Sequence, residues 1–265
     1  MLPWKGRSMK TYKIDAIVLK SRDMREADKI LTVYSIQRGK QRIVAHGAAK
    51  PNSRKRGAVQ PFCFSEFMLH RGRELDSISQ AELREGFTEL RLDLDRITAA
   101  AYAAELMDGF TAEGEPNPSI FNLFYSTLHL IAVGYQSVMI LRAFEAKLLG
   151  YSGLQPELNR CGACDTEIRD TKVFFGPQQG GLLCQECAGL EKKTLKFSRG
   201  TIEILKTLYR WELTKLHQLK VPTALQQELN TLMRTYIEYH LEKRLKTTEF
   251  MDRLHKTNLY GGTNI

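Results

Sequence analysis

The sequence predicts an α+β protein: an N-terminal OB-type β-barrel, then an α-helical region carrying an inserted ribbon of cysteines. Three observations lead there. Short runs rich in Ile, Val, Phe and Tyr succeed one another across the first 80 residues, each bounded by turn chemistry. From Ser79 onward apolar residues recur instead at spacings of three and four. Two C-x-x-C pairs then stand 19 residues apart.

Size and composition permit this layout. The chain has 265 residues, 43% of them hydrophobic and 26% charged, enough for two compact units with apolar cores and unlike a disordered chain. No run of 18 apolar residues occurs, so no membrane-spanning helix is expected. The start, Met1 to Arg7, lacks the apolar stretch of a secretory signal. A cytoplasmic protein with reduced thiols is the expectation.

The strands are read at Ile14–Leu19, Ile30–Ile36, Arg42–His46 and Phe62–His70. Gly39-Lys40 turns the chain between the second and third, and a longer loop containing Pro51 and Ser53 runs from Gly47 to Gly57. About five closely spaced strands in about 80 residues fit an OB-type barrel best. The expected division is 1–80 for the barrel and 81–265 for the helical region, with a metal-binding insertion at 158–192.

Ser79-Gln80-Ala81-Glu82 has the form of a capping box, in which the two side chains satisfy free backbone N–H groups at a helix start. Leu83, Phe87, Leu90, Leu94 and Ile97 follow as an amphipathic stripe that continues to Phe110. The break at Gly114 to Pro118 ends it. Two helices meeting near Gly134 are expected between Ser119 and Leu149, and Ser198 and Thr223 should cap two more, ending near Leu216 and Lys246.

Cys161, Cys164, Cys184 and Cys187 form C-x2-C-x19-C-x2-C. Two residues between thiols let a tight turn aim both sulfurs at one ion, and two such turns make the tetrahedral S₄ cage that Zn²⁺ prefers. Four thiolates close the coordination sphere, so one structural zinc is expected. Lys172–Phe175 and Gly180–Leu183 read as the ribbon's strands. Cys63 reads as a buried strand residue, and His240 and Glu242 as helix surface.

Charge is distributed unevenly. Residues 1–80 hold 17 Lys and Arg against 7 Asp and Glu, whereas residues 81–265 hold 22 against 23. A polyanion partner is thus a property of one segment. One cluster is Lys20, Arg22, Arg25 and Lys29; the other is Lys50, Arg54, Lys55 and Arg56, preceded by Arg38, Lys40 and Arg42. These are the candidate phosphate-binding residues, with Tyr12, Tyr34, Phe62, Phe64 and Phe67 interleaved, mostly as core.

Other classes find little support. There is no G-x-x-x-x-G-K-[ST], G-x-S-x-G or H-E-x-x-H. Nine carboxylates between Glu82 and Glu115 are spaced like a solvated face, so a metal-dependent nuclease or deaminase ranks low. A non-enzymatic nucleic-acid-binding protein is favoured; a zinc-stabilised OB protein that binds RNA or serves transcription is the alternative.

A family resemblance joins these readings. Ala16 to Arg22, Glu26 to Leu31, Gly39-Lys40 and Val44 to Lys50 resemble the start of the bacterial RecO DNA repair family. Gly57 to Phe62, Glu82-Leu83 and Arg142 to Tyr151, leading into the cysteine pairs, continue the likeness across about residues 10–250. The resemblance implies an OB domain, a helical domain with a zinc-binding insertion, and a recombination mediator. It implies binding of single- and double-stranded DNA, strand annealing, work with RecR, and help in loading RecA onto DNA coated by single-strand-binding protein. It also implies capture of that protein's C-terminal tail by the helical domain, for which Arg142 is the candidate. A simple bridge from Arg142 to Glu145 is the competing reading.

Overall fold

The computed structural model describes residues 11–24, 27–135, 137–189, 191 and 193–260. The chain divides into two units. One comprises the residues up to Thr88 together with Thr111–Tyr125; the other comprises Glu89–Phe110 and the residues from Ser126 onward.

The first unit is a closed five-stranded barrel. β1 (Thr11–Asp23), β2 (Lys29–Ser35), β3 (Gly39–Ala45), β4 (Phe64–His70) and β5 (Asp76–Glu85) pair in the order β1-β2-β3-β5-β4. β3 and β5 run parallel and all other pairs antiparallel, which is the OB arrangement. Period-two alternation sends Ile14, Ala16, Val18, Leu31, Val33, Ile43, Phe67, Leu69 and Ile78 into the barrel. Cys63 is buried just before β4, with its Sγ 3.8 Å from the Gly86 carbonyl oxygen, not within a strand.

The helix expected from Ser79 does not form. Residues 79–85 belong to β5, which extends past the boundary drawn at residue 80. The Ser79 hydroxyl donates to the Met68 carbonyl across the ladder, and Glu82 binds Arg84. Leu83 and Leu94, taken as the stripe, are 45% and 54% exposed. The cause is twofold. β4 offers a full edge whose pairing closes the barrel, and two register shifts in the β4–β5 ladder break the alternation that announces a strand. After a 3₁₀ turn at Thr88–Leu92, α1 occupies Leu94–Phe110. Ala99, Ala100, Ala103 and Ala104 are all buried on it, so it is nearly apolar all round rather than striped.

Residues 111–125 return to the barrel wall. Lys40 forms a β-bridge with Glu113, its carbonyl accepts from Gly114 N–H, and the Tyr34 hydroxyl accepts from Asn117 N–H. Asn117 Oδ1 accepts from Ser119 and Ile120 N–H, capping α2 (Pro118–Ala132). The Phe121 and Tyr125 rings pack edge-on against Phe64 at 5.8 and 5.6 Å. Gly39 has φ +61, and a Cβ there would stand 2.1 Å from the Glu115 carbonyl oxygen. Gly39→Ala is expected to cost about 2 kcal/mol or more, from left-handed strain plus displaced backbone. Urea unfolding checks it, and an unchanged midpoint would show that this approach is not needed.

In the second unit α3 (Ser137–Tyr151) follows α2, with Gly134 at φ +94 between them, where the sequence places the break. β6 (Lys172–Gly176), β7 (Gly181–Leu183), the one-turn α4 (Gln185–Ala188) and β8 (Leu195–Ser198) make the ribbon, in sheet order β7-β6-β8. Its third strand lies beyond residue 192. Ser198 caps α5 (Arg199–Arg210) as expected, accepting from Thr201 N–H. α5 stops at Arg210 instead of near Leu216, because Trp211 turns extended and a 3₁₀ turn takes Leu213–Gln218.

Thr223 opens α6 (Thr223–Leu241) but does not cap it; Pro222 precedes it with no side-chain cap. α6 ends at Leu241, since Glu242 adopts φ +53, and α7 (Lys246–Tyr260) starts soon after. Glu105, from α1, accepts from Lys246 N–H, Thr247 N–H and the Thr247 hydroxyl, a cap no local reading of the sequence supplies. Among the described residues no helix is long and apolar enough to cross a membrane.

Candidate nucleic-acid interface and four-cysteine cluster

On the barrel, pleat and register decide which cations face outward. Up to Val18 the even positions of β1 point inward; the shift between Val18 and Lys20 then pairs Ser21 with core-facing Leu31. Lys20 opposes Thr32, Thr32 opposes Arg42, and Arg22 opposes Ile30. The bulge at Leu19 therefore turns Lys20 and Arg22 onto the outer face shared with Lys40 and Arg42. Without it the same side chains would point into the barrel.

Part of this charge is balanced locally. Arg42 Nε lies 3.2 Å from Glu113 and Lys29 Nζ 2.6 Å from Asp23. Arg22, Lys50, Arg54 and Arg56 are exposed, and of these Lys50 acts on the Asp28 carboxylate. Arg25 lies outside the described residues.

The basic loop between β3 and β4 is pinned rather than floppy. Ala48, Ala58 and Val59 are buried in the barrel core. Ser53 N–H donates to Lys50, Arg56 N–H to Ser53 and Val59 N–H to Lys55, a run of helical-type turns. At its base Asp28 accepts from Gly47 N–H at 2.7 Å and meets His46 Nδ1 at 2.6 Å, and both hold its carboxyl below the usual range. Arg54 and Arg56 project from this frame into solvent. Lys55 does not: its Nζ donates to the Ile78 carbonyl at 2.6 Å, and partial burial lowers its pKa. Lys55 thus braces the loop, unlike its neighbours.

Of the interleaved aromatics, Tyr34, Phe62 and Phe67 are buried, and Phe64 packs against Phe121 and Tyr125. Tyr12 remains half-buried, with the Arg38 guanidinium 4.2 Å and the Arg71 guanidinium 5.9 Å from its ring centre. Sequence reasoning missed Arg71 and Arg73, which are followed at once by Glu74 and Asp76 and form no visible run. Only barrel closure brings Arg71 toward Arg38.

The four cysteines converge. Their Sγ atoms all lie within 4.8 Å of one another. Cys161 N–H donates to Thr166, Asp165 N–H donates to Cys161 and Gly162 N–H donates to Leu182 in β7, so the first turn is fastened to the second. Cys184 caps α4, its sulfur accepting from Cys187 N–H. Burial pushes the Cys161 thiol up, but backbone N–H groups of Cys184, Cys164 and Ala163 outweigh it and bring the thiol down to about 6. The Thr166 hydroxyl, 3.3 Å away, lowers Cys164. Hydrogen bonds with the Cys184 and Cys164 thiols hold Cys187 up to about 12. Four closed, thiol-only donors with N–H groups turned inward can hold one metal ion and leave it no open position.

Arg142 is not an open fork. It is 7% exposed, its guanidinium held by Glu145 at 2.5 Å and by Asn230 at 2.7 Å. The Tyr102 hydroxyl donates to the same Glu145 oxygen at 2.6 Å. Burial, outweighing Arg142 and Tyr102, raises the Glu145 pKa. The bridge to Glu145 is the arrangement observed, and among the described residues Arg142 is the cation that offsets the burial of this acid. Nearby in the same unit a recess of about 500 Å³ is lined by Tyr135, Met139, Ile140, Leu216, Leu219 and Val221, with His217, Lys220 and Gln226. His240 also departs from expectation. It is half-buried edge-on against Tyr236, ring centres 4.4 Å apart, and burial lowers its pKa. Glu242 is exposed.

Comparison with known proteins agrees along the chain. A family profile described as recombination protein O N terminal matches residues 9–87, and one described as recombination protein O C terminal matches residues 91–249. The chain is 77% identical to the DNA repair protein RecO of Desulforamulus reducens, over 97% of this chain and 100% of that protein. It is 46% identical to the protein of the same name from Pelotomaculum thermopropionicum, over 92% and 95%. For that of Desulforudis audaxviator the identity is 38%, over 93% and 98%.

Proposed function

The chain belongs to the recombination protein O family, and from that membership we propose that it is a DNA-binding recombination mediator in DNA repair, not an enzyme. It binds single- and double-stranded DNA by the phosphates and anneals complementary strands. With RecR it helps load RecA onto DNA coated by single-strand-binding protein. It works in the cytoplasm at the nucleoid. The observation that supports this most is the bulge at Leu19, which gathers Lys20, Arg22, Lys40 and Arg42 on one outer face; the loop after β3 adds the exposed Arg54 and Arg56.

Annealing needs two polyanions brought together, and a cationic wall that holds each weakly lowers their repulsion without ATP. Neutralising about six phosphates of a single strand would give a log–log salt slope near −4. The four cysteines hold one Zn²⁺, which braces the ribbon. The tail of single-strand-binding protein, apolar and ending in a carboxylate, is seated in the recess lined by Tyr135, Met139 and Leu219, with Lys220 supplying the cation. Arg142 serves that seat by holding α3 to α6.

Arg54→Ala with Arg56→Ala is expected to weaken binding of a single-stranded oligonucleotide about tenfold or more in low salt. Annealing should slow in step and thermal stability should stay within about 0.5 kcal/mol. Fluorescence anisotropy and a strand-annealing assay read it. Unchanged affinity would remove the loop from the interface, and a marked preference for matched RNA over DNA would overturn the reading.

A further inference from the structure

We propose that Arg38 and Arg71, arranged about the ring of Tyr12, form a separate phosphate subsite for a nucleic-acid strand at the β2–β3 and β4–β5 turns of the barrel. The proposal rests on the DNA-binding reading above; to Arg38, already a candidate phosphate ligand from the sequence, it adds Arg71 and the Tyr12 ring that both approach.

Both guanidinium groups approach one aromatic ring, so they are no farther apart than their two distances to it, 4.2 and 5.9 Å, together allow. Neither forms an ion pair with a carboxylate among the described residues. Two acids of the flanking strands are already engaged. Asp76 accepts from the Tyr12 hydroxyl and from Gly72 N–H, and Glu66 takes Lys13 at 2.7 Å and Arg84 at 2.9 Å. The Asp76 carboxylate at the Tyr12 hydroxyl offsets part of this charge, and two guanidinium groups against one carboxylate leave the local potential positive.

The ring explains how they are held. A guanidinium stacked on an aromatic face keeps its N–H edge free for an anion. Tyr12 is in turn fixed by Asp76 and by packing on the barrel core. Beside it opens a recess of about 500 Å³ lined by Tyr12, Lys13, Gln37, Arg38, Gln41, Gly114 and Pro116, with Arg71 on the ring but outside this lining. Tyr12 is accordingly a positioning residue, and the two arginines are the contacts.

Arg38 stands two residues before Lys40 and four before Arg42, in the β2–β3 turn. The subsite would lengthen the tract of strand each barrel holds.

The test titrates salt against binding of a fluorescent oligothymidylate to the full chain. For Arg38→Gln with Arg71→Gln, affinity is expected to drop about tenfold. The slope should become shallower by about 0.7, the value for one phosphate of a single strand. Tyr12→Leu should reproduce most of that loss, and Tyr12→Phe, which keeps the ring, should reproduce little. Should Tyr12→Leu fail to fold, the arginine pair decides alone, since both side chains can change without touching the core. The subsite is refuted if the arginine pair binds with wild-type affinity and slope while Arg54→Ala with Arg56→Ala is weakened. If the unaltered protein ignores the oligonucleotide in low salt, the DNA-binding reading itself fails and the subsite with it.

Discussion

Cys161→Ser is expected to strip the ribbon of its metal ion and melt β6, β7 and β8 as a unit. A serine hydroxyl stays protonated near neutral pH and is a poor ligand for a soft ion, so a closed four-thiolate site loses a quarter of its donors. Binding energy of a structural zinc, about 10–16 kcal/mol, is also folding energy. The ribbon's own core of Val173, Phe175, Leu182 and Phe197 is small, too small to replace it. The cluster also sets a sign with pH. Ion capture must drive a proton from Cys187, otherwise held at about 12, and little from Cys161, already near 6. Metal affinity should therefore fall as the solution is acidified, with proton release on binding. Metal content by mass spectrometry, together with proteolysis between Asn159 and Phe197, reads both effects. One ion per chain and an intact ribbon in the variant would end the assignment.

The second large effect is expected at Glu145. Glu145→Ala removes the carboxylate that faces both Arg142 and Tyr102 and leaves a guanidinium stranded at 7% exposure. Breaking a buried pair by deleting one partner typically costs about 3–5 kcal/mol. Replacing both charges together, Glu145→Leu with Arg142→Met, should restore much of the loss, since the pair's own desolvation disappears with it. Urea unfolding of the three proteins forms the comparison. A single-variant loss under about 1 kcal/mol would mean that water reaches Arg142 freely. The same set separates two roles for Arg142. If it acts only by joining α3 to α6, the double variant should keep its affinity for an acidic, apolar tail peptide.

What could be read in advance depended on how local the cause was. β1 to β4 were legible because Gly39, Gly47 and Pro51 punctuate runs of β-branched residues, and the ribbon because cysteine spacing follows directly from metal geometry. β5 was not. Its alternation is interrupted by two bulges, and Leu83, Phe87 and Leu90 mimic a helical stripe although the first is exposed and the last two are buried for other reasons. Among the cations, residue type alone could not separate Lys55 from Arg54 and Arg56. The distinction lies in one hydrogen bond to Ile78, 23 positions away. Arg142 and Glu145 were legible as neighbours on a helix, but their burial is decided by Tyr102 and Asn230.

Residues 111–125 belong to the barrel's unit although α1 intervenes in the chain. On the ribosome the strands of the barrel therefore emerge before the segment that completes its wall. The β2–β3 hairpin receives its partner at Gly114 only after translation has passed through the whole of α1. Until then Tyr34 lacks its bond from Asn117 N–H, and Phe64 lacks the rings of Phe121 and Tyr125.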